Sequence, residues 1–307
     1  MIVIAGDALV DLIVRPDGEL VPVAGGGSYN TARAAARLGT ACSWIGGLST
    51  DRFGRMLEAA LVADGVSLDL AQRTELPTTL ALAELDEDGA AAYRFYTEGT
   101  STPAVLPGPL AGGLPAGTRA VLTGSLGFVL EPMATTLEAW VAGLPDDVPL
   151  MIDPNCRPSI TRDPDAYRAR LGRVCARADI VKASVEDLAF LRPGTTADEA
   201  VAWIRSLGVR VILVTDGGRP VSVHVNGAVH AVPAPPVRVV DTVGAGDTFG
   251  GALLACLVHE GVTRATIADE GAVLRATRFA VRASAFVCGR AGADPPTLDE
   301  LGGWPAT

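Results

Sequence analysis

Short, nearly uninterrupted apolar runs alternate along this chain with longer stretches whose apolar residues recur at helical spacing. Runs at 2–6, 42–46, 120–124, 150–153, 180–182 and 209–215 predict strands. Segments at 29–38, 52–64, 131–142, 164–177, 197–207, 248–260 and 264–286 predict helices. A strand that is apolar on both faces must be covered on both, and the intervening helices can do that covering. The pattern therefore predicts an α/β fold with a central, mainly parallel sheet flanked by helices. Ligands of such sheets bind beyond the carboxyl ends of the strands. Here those ends carry Gly6-Asp7, Gly124-Ser125, Asp153 and Thr215-Asp216-Gly217.

Two segments break the alternation. Residues 8–24, with Asp17-Gly18 at the turn, and residues 78–96, with the turn at 86–89, both read as antiparallel hairpins. Nothing resembles a repeat or a flexible linker, and the proline-rich stretch 232–236 reads as a rigid connection. The expectation is one domain over 1–307.

Composition excludes several classes of function. The 307 residues are 49% hydrophobic, enough for a large core, and carry a formal net charge of −10. No basic run occurs, which disfavours nucleic acid and anionic membranes as partners. A bound phosphate would have to rely on backbone N–H groups, local cations and metal. Lys182 is the only lysine among 25 basic residues. The five cysteines, 42, 156, 175, 256 and 288, are widely spaced with no CxxC pair, so reduced and mostly buried thiols are expected. The apolar opening is too short and lacks the basic flank of a signal peptide, and no stretch approaches ~18 uninterrupted apolar residues. A cytoplasmic protein is expected.

The richest local signal is DTVGAGDTF at 241–249, followed by an apolar run. Gly244 and Gly246 allow a tight turn that presents backbone N–H groups. The predicted helix from 248 would put those groups at a helix N-terminus, where an anion is favoured. Asp247 stands at the same place. A phosphate cradle with a carboxylate beside it is what phosphoryl transfer to an alcohol requires. A plain tight turn into a packed helix would give the same glycine spacing. Gly250 and Gly251, each costing on the order of 1 kcal/mol inside a helix, suggest close packing of its first turn.

Other chemistries lack their motifs. There is no Gly-x4-Gly-Lys-Ser/Thr loop, no third glycine to complete a dinucleotide fingerprint, and no nucleophile elbow around Ser125. The three histidines, 224, 230 and 259, lack metal-ligand spacing.

DTVGAGDTF resembles the C-terminal signature of the PfkB (ribokinase-like) carbohydrate kinases. GGGSYNTARAAARLG at 25–39 resembles their N-terminal signature, about two hundred residues upstream. Matches at 45–47, 51–54, 124–125, 153–157 and 178–182 extend the resemblance over essentially the whole chain. It implies a ribokinase-like fold whose two hairpins form a small β lid over a sugar site, with homodimerisation through the lid. It also implies transfer of the ATP γ-phosphate to a primary sugar hydroxyl, with Mg²⁺ and, through Asp241 and the Val243 carbonyl, a monovalent cation such as K⁺.

The implied catalytic set is Asp247 as general base, with Gly244, Ala245 and Gly246 cradling the phosphoryl group. The helix N-terminus should keep Asp247 ionised, and the N–H groups from Val243 to Asp247 should face the transferring oxygens. Sugar contacts would come from Asp11, Gly26, Gly27, Asn30, Arg94 and Arg157. The alternatives are an ordinary helix start capped by Ser28 for the glycine–Asn30 stretch and an exposed strand residue for Arg94. Asp7 reads as a solvated turn acid. Nucleotide contacts would come from Lys182, Ser184, Thr215, Gly217, Gly244 and Gly246. Ser184 and Asp187 replace the family's longer Asn/Glu pair, so Asp187 is expected to touch magnesium through water. The GDxxxD opening, Phe95-Tyr96 and the DPNxR segment lean toward the family's bacterial fructokinases. Ribokinase and 2-keto-3-deoxygluconate kinase are the nearest alternatives. A nucleoside kinase lacks an aromatic set, and a non-catalytic sugar-binding regulator would not need Asp247 with the full glycine turn.

Overall fold

All six predicted apolar strands pair in one sheet. The computed structural model describes residues 1–15, 18–85, 91–110 and 112–306. In chain order its elements are β1 (Ile2–Ala5), β2 (Leu9–Val14), β3 (Leu20–Gly25), α1 (Gly27–Arg37), β4 (Cys42–Ile45), β5 (Gly47–Ser49), α2 (Arg52–Ala63), β6 (Gln72–Thr74), β7 (Leu80–Leu85), β8 (Ala91–Tyr96) and β9 (Ala120–Gly124). There follow α3 (Met133–Ala142), β10 (Leu150–Asp153), α4 (Pro164–Cys175), β11 (Ile180–Ser184), α5 (Val185–Leu191), α6 (Ala197–Ser206), β12 (Val211–Thr215), β13 (Val221–Val225), β14 (Ala228–Val232), α7 (Ala245–His259) and α8 (Glu270–Cys288).

The large sheet runs β14-β13-β12-β11-β10-β9-β1-β4, parallel from β12 to β4. Alternate residues of β1 enter different cores. Ile2 and Ile4 pack with α1, α2, α7 and α8, whereas Val3 and Ala5 pack with α3 to α6. This two-sided burial is why the strands carry no polar face.

The two predicted hairpins form β2–β3 and β7–β8, and parallel pairing of β2 with β7 joins them into a four-stranded sheet, β3-β2-β7-β8. The expected turn residue Asp17 and the turn at 86–89 lie outside the described residues. Among the described residues, no helix is long and apolar enough to cross a membrane. All five cysteines are free thiols.

Several boundaries differ from expectation. β13 and β14 form an antiparallel hairpin through Asn226 and Gly227, both left-handed, and extend the sheet edge. α8 begins at Glu270 rather than 264, because Asp269 caps it by accepting the Ala272 N–H at 2.8 Å. α5 was not expected; a capping box between Ser184 and Asp187 starts it.

Candidate active site

α7 starts at Ala245, three residues before the predicted position, so Asp247 lies inside its first turn. Gly244 is the N-cap in left-handed backbone (φ 75°), and a Cβ there would stand 2.6 Å from that of Ala293. A Cβ on Gly246 would stand 2.9 Å from Lys182 Nζ. At Gly251 it would meet the Thr31 carbonyl oxygen at 2.7 Å, so this glycine brings α7 against α1. That contact carries Asn30 to the catalytic turn, where its Nδ2 donates to Asp247 Oδ2 at 2.9 Å.

The start of α1 is built differently from the expected serine cap. Gly26 is the N-cap (φ 113°), and any side chain there would press on the Asp7 carbonyl. The side-chain acceptor is remote in sequence: Asp7 Oδ2 takes the Gly27 N–H at 2.8 Å. Ser28 instead donates its hydroxyl to the Asp7 carbonyl at 2.8 Å and accepts Trp44 Nε1. Asp7 is therefore not a solvated turn acid; it is 1% exposed, and its Oδ1 is buried without a hydrogen-bond partner among the described residues.

These elements enclose a cavity of about 390 Å³ at the carboxyl ends of β1, β9 and β10. It brings together Asp11, Gly26, Gly27, Asn30, Arg157, Val243, Gly244, Gly246 and Asp247 from the expected set, with Asn155 of the DPNxR segment, a candidate polar contact beside Arg157, and adds Asp7, Phe95 and Ser125. Of the expected catalytic and sugar-contact residues, two do not line it. Arg94 is exposed on β8, and its strand neighbour Phe95 points inward instead, as alternation along a strand requires. Ala245 is likewise off the wall, and its N–H returns to the Thr242 carbonyl. Val243 N–H is also used, by Asp241. The N–H groups of Gly244, Gly246 and Asp247 have no acceptor among the described residues.

The expected nucleotide contacts gather beyond Gly246. Lys182 is buried on β11, with Nζ 2.8 Å from Asp153 Oδ2. Burial pulls its pKa down, but Asp153, with Asp187 and Asp247 adding to it, more than reverses this and holds the ammonium charged. Ser184 ends β11 directly beside Thr215 of β12, and Gly217 follows in a left-handed turn. Asp187 Oδ1 accepts the Cys156 N–H at 2.6 Å, and its Oδ2 accepts that of Ser184 at 2.8 Å. Both of its oxygens thus serve the backbone. Asp241 does the same for Val243 at 3.0 Å and Gly292 at 2.8 Å.

Burial dominates the electrostatics. It pushes Asp247 up to about 7; the Asn30 hydrogen bond opposes it, Asp153 adds to it, Lys182 opposes it and Asp7 adds to it. The helix N-terminus does not keep Asp247 fully ionised at neutral pH, because a half-buried, largely desolvated carboxylate near two others loses more than the dipole returns. Burial also pushes Asp11 up to about 6, with Asp7 raising it and Arg157 lowering it. Asp7 is raised by burial against the Gly27 hydrogen bond.

Comparison with known proteins accounts for this arrangement. Residues 1–300 match the pfkB family carbohydrate kinases. The chain is 35% identical over 265 residues to a fructokinase of Rhizobium leguminosarum bv. trifolii, covering 84% of this chain and 79% of that protein. It is 34% identical over 273 residues to a fructokinase of Klebsiella pneumoniae, covering 84% and 85%. A crystal structure of fructokinase with bound ATP from Xylella fastidiosa superposes with a TM-score of 0.90 at 27% identity, covering 98% of this chain and 96% of that one. Agreement in sequence and fold over nearly the whole length makes the chain a member of the pfkB family of carbohydrate kinases, phosphotransferases that act on a sugar hydroxyl.

Proposed function

We propose that this chain is an ATP-dependent fructokinase that phosphorylates D-fructose at a primary hydroxyl. The observation that carries the choice of sugar is the charge on the cavity wall. Asp7, Asp11 and Asp247 face it, against one guanidinium, Arg157. That guanidinium already donates to the Asn155 carbonyl, Asn155 Oδ1 and the Cys156 carbonyl. A neutral polyol can donate hydroxyl protons to such carboxylates. An acid such as 2-keto-3-deoxygluconate would place a fourth carboxylate among them. The named fructokinases among its relatives support the same choice.

In this reading Asp247 takes the proton of the attacking hydroxyl. The hydroxyl oxygen bonds to the γ-phosphorus of ATP as the bond to the leaving ADP oxygen breaks. The N–H groups of Gly244, Gly246 and Asp247, with Lys182, oppose the charge on the transferring oxygens; in a loose transition state that stabilisation is most of the catalysis. The β2–β3 and β7–β8 hairpins shield the site from water.

Among the described residues, no group of three or more His, Cys, Asp or Glu side chains could hold a metal. Magnesium therefore fits as an ion carried on the nucleotide, where it would neutralise phosphate charge. The monovalent-cation role of Asp241 and Val243 is tested by a potassium titration. Exposed Leu20 and Tyr96 on the outer strands of the four-stranded sheet support a homodimer through it, which sedimentation would test. Free thiols suit a cytoplasmic setting.

The deciding experiment is coupled ADP release over fructose, ribose, adenosine and 2-keto-3-deoxygluconate. Fructose is expected to give the highest kcat/KM, and a much higher value for any other sugar would overturn the assignment.

A further inference from the structure

Three residues other than glycine hold left-handed backbone among the described residues: Asn226 (φ 50°), Asn155 (φ 40°) and Ser125 (φ 52°). Asn226 sits in an Asn-Gly hairpin turn, where this conformation is ordinary. The other two stand side by side at the cavity, just beyond β9 and β10. Asparagine tolerates this backbone well, but serine gains little from it. A strained serine at a binding site calls for a reason, and strain of this kind persists only where the surroundings impose it.

The surroundings do impose it. Gly124, just before Ser125, lies opposite Asp153 in the β9–β10 register, and a side chain at Gly124 would collide with the Asp153 carbonyl. The bare backbone lets the two strand ends close together. Ser125 Oγ and Asn155 Nδ2 then converge on Gly27, lying 3.0 Å and 2.9 Å from where a Cβ on that glycine would be. The polar groups are connected in one direction. Arg157 donates to Asn155 Oδ1 at 2.7 Å, and Asn155 Nδ2 donates to Ser125 Oγ at 3.4 Å. Ser125 Oγ is thereby the acceptor of that pair, and its own proton has no acceptor among the described residues. The hydroxyl lines the same cavity as Asp11 and Asp247.

We infer that Ser125 is a specificity-determining residue whose hydroxyl donates to one hydroxyl oxygen of the bound sugar, with Asn155 and Arg157 holding it in position. This rests on the cavity being the sugar site, not on the sugar being fructose. The left-handed backbone is what aims the hydroxyl past Gly27. Glycine would relax the strain at residue 125 but remove the donor, whereas alanine would keep the strain and still remove the donor.

The test uses the full chain and two variants, Ser125→Gly and Ser125→Ala, assayed on the preferred sugar and on deoxy analogues that each lack one hydroxyl. The parental enzyme should disfavour one analogue by about tenfold, the scale of a lost hydroxyl contact. Both variants should lose about that factor on the intact sugar and leave that one analogue unaffected, so the discrimination disappears for a single hydroxyl. Ser125→Gly should melt above Ser125→Ala. A uniform loss across the sugar and every analogue would mean a purely structural role and overturn the inference, as would unchanged discrimination. If another neutral sugar outperforms fructose, the series is built on that sugar; the fructose assignment falls and Ser125 is still judged.

Discussion

The cavity floor and the four-stranded sheet above it are made in different ways. In the floor, Gly26, Gly244, Gly246 and Gly251 each have a neighbouring atom within 3 Å of where a side chain would begin. Asp7, Asn30, Asp153 and Lys182 are all buried there. In the sheet, Leu20 and Tyr96 are exposed, and Asp11 and Phe95 are among the few side chains it sends into the cavity. The contrast suggests a division of labour. A floor locked by such close contacts can hold reacting groups to a few tenths of an ångström, which phosphoryl transfer requires. A sheet with exposed outer strands can select and enclose a sugar without disturbing that geometry.

The largest effect should come from the floor. Asp247→Asn should cut kcat by ~10² or more in steady-state assays, the usual scale for a positioned base. The acid limb of the parental kcat/KM should fall near pH 7, where free Asp247 titrates. The same substitution should make the protein more stable. Asp247 is raised in the fold above its ordinary value of ~4, so its destabilisation is absent below that value, grows as pH rises toward 7 and is complete above it. Melting curves should show the variant's gain, a few kcal/mol, at pH 8 and little of it near pH 4. Loss of turnover with no stability gain would break the picture of a floor strained for chemistry.

Gly246→Ala is next, since its methyl group must displace Lys182. A fall in kcat of about tenfold to a hundredfold is expected, with folding intact by circular dichroism. The sheet should respond differently. Asp11→Ala should raise KM for fructose by about tenfold while kcat changes far less, the signature of lost uniform binding. A kcat loss as deep as that of Asp247→Asn would erase the distinction between floor and sheet.

Asp187→Ala should remove a cap and the acceptor for Cys156, costing about 1–2 kcal/mol in denaturant melts. Its magnesium titration should match the parent if the carboxylate serves only the backbone, and a shifted curve would restore its metal role. Arg94→Ala is the smallest change. As an exposed strand residue off the cavity wall, it should stay within about 0.5 kcal/mol of the parent in stability, with kcat/KM little altered.

Much of this was legible in the amino-acid order. The apolar strands and both hairpins emerged as expected. What escaped was of two kinds. Some signals were present but outweighed. Asn226-Gly227 between alternating runs is a strong hairpin mark, and Ser184-x-x-Asp187 is a capping pattern that the resemblance drew toward metal binding. Others belong only to three dimensions. Nothing local to Asp7 announces that it will cap a helix twenty residues later. Nothing local to Asp247 reports the neighbouring carboxylates that raise its pKa. Local pattern sets where elements run, whereas burial and charge at a site depend on which strand ends converge.

Lys182 has a consequence outside catalysis. Within these 307 residues every other side-chain cation of the Lys/Arg type is a guanidinium, and this one amine is 5% exposed behind Gly246. Among these 307 residues acylating or carbamylating reagents find no other lysine side chain. Their rate at this position is set by how often the floor opens, so slow labelling becomes a clock for local unfolding at the catalytic centre.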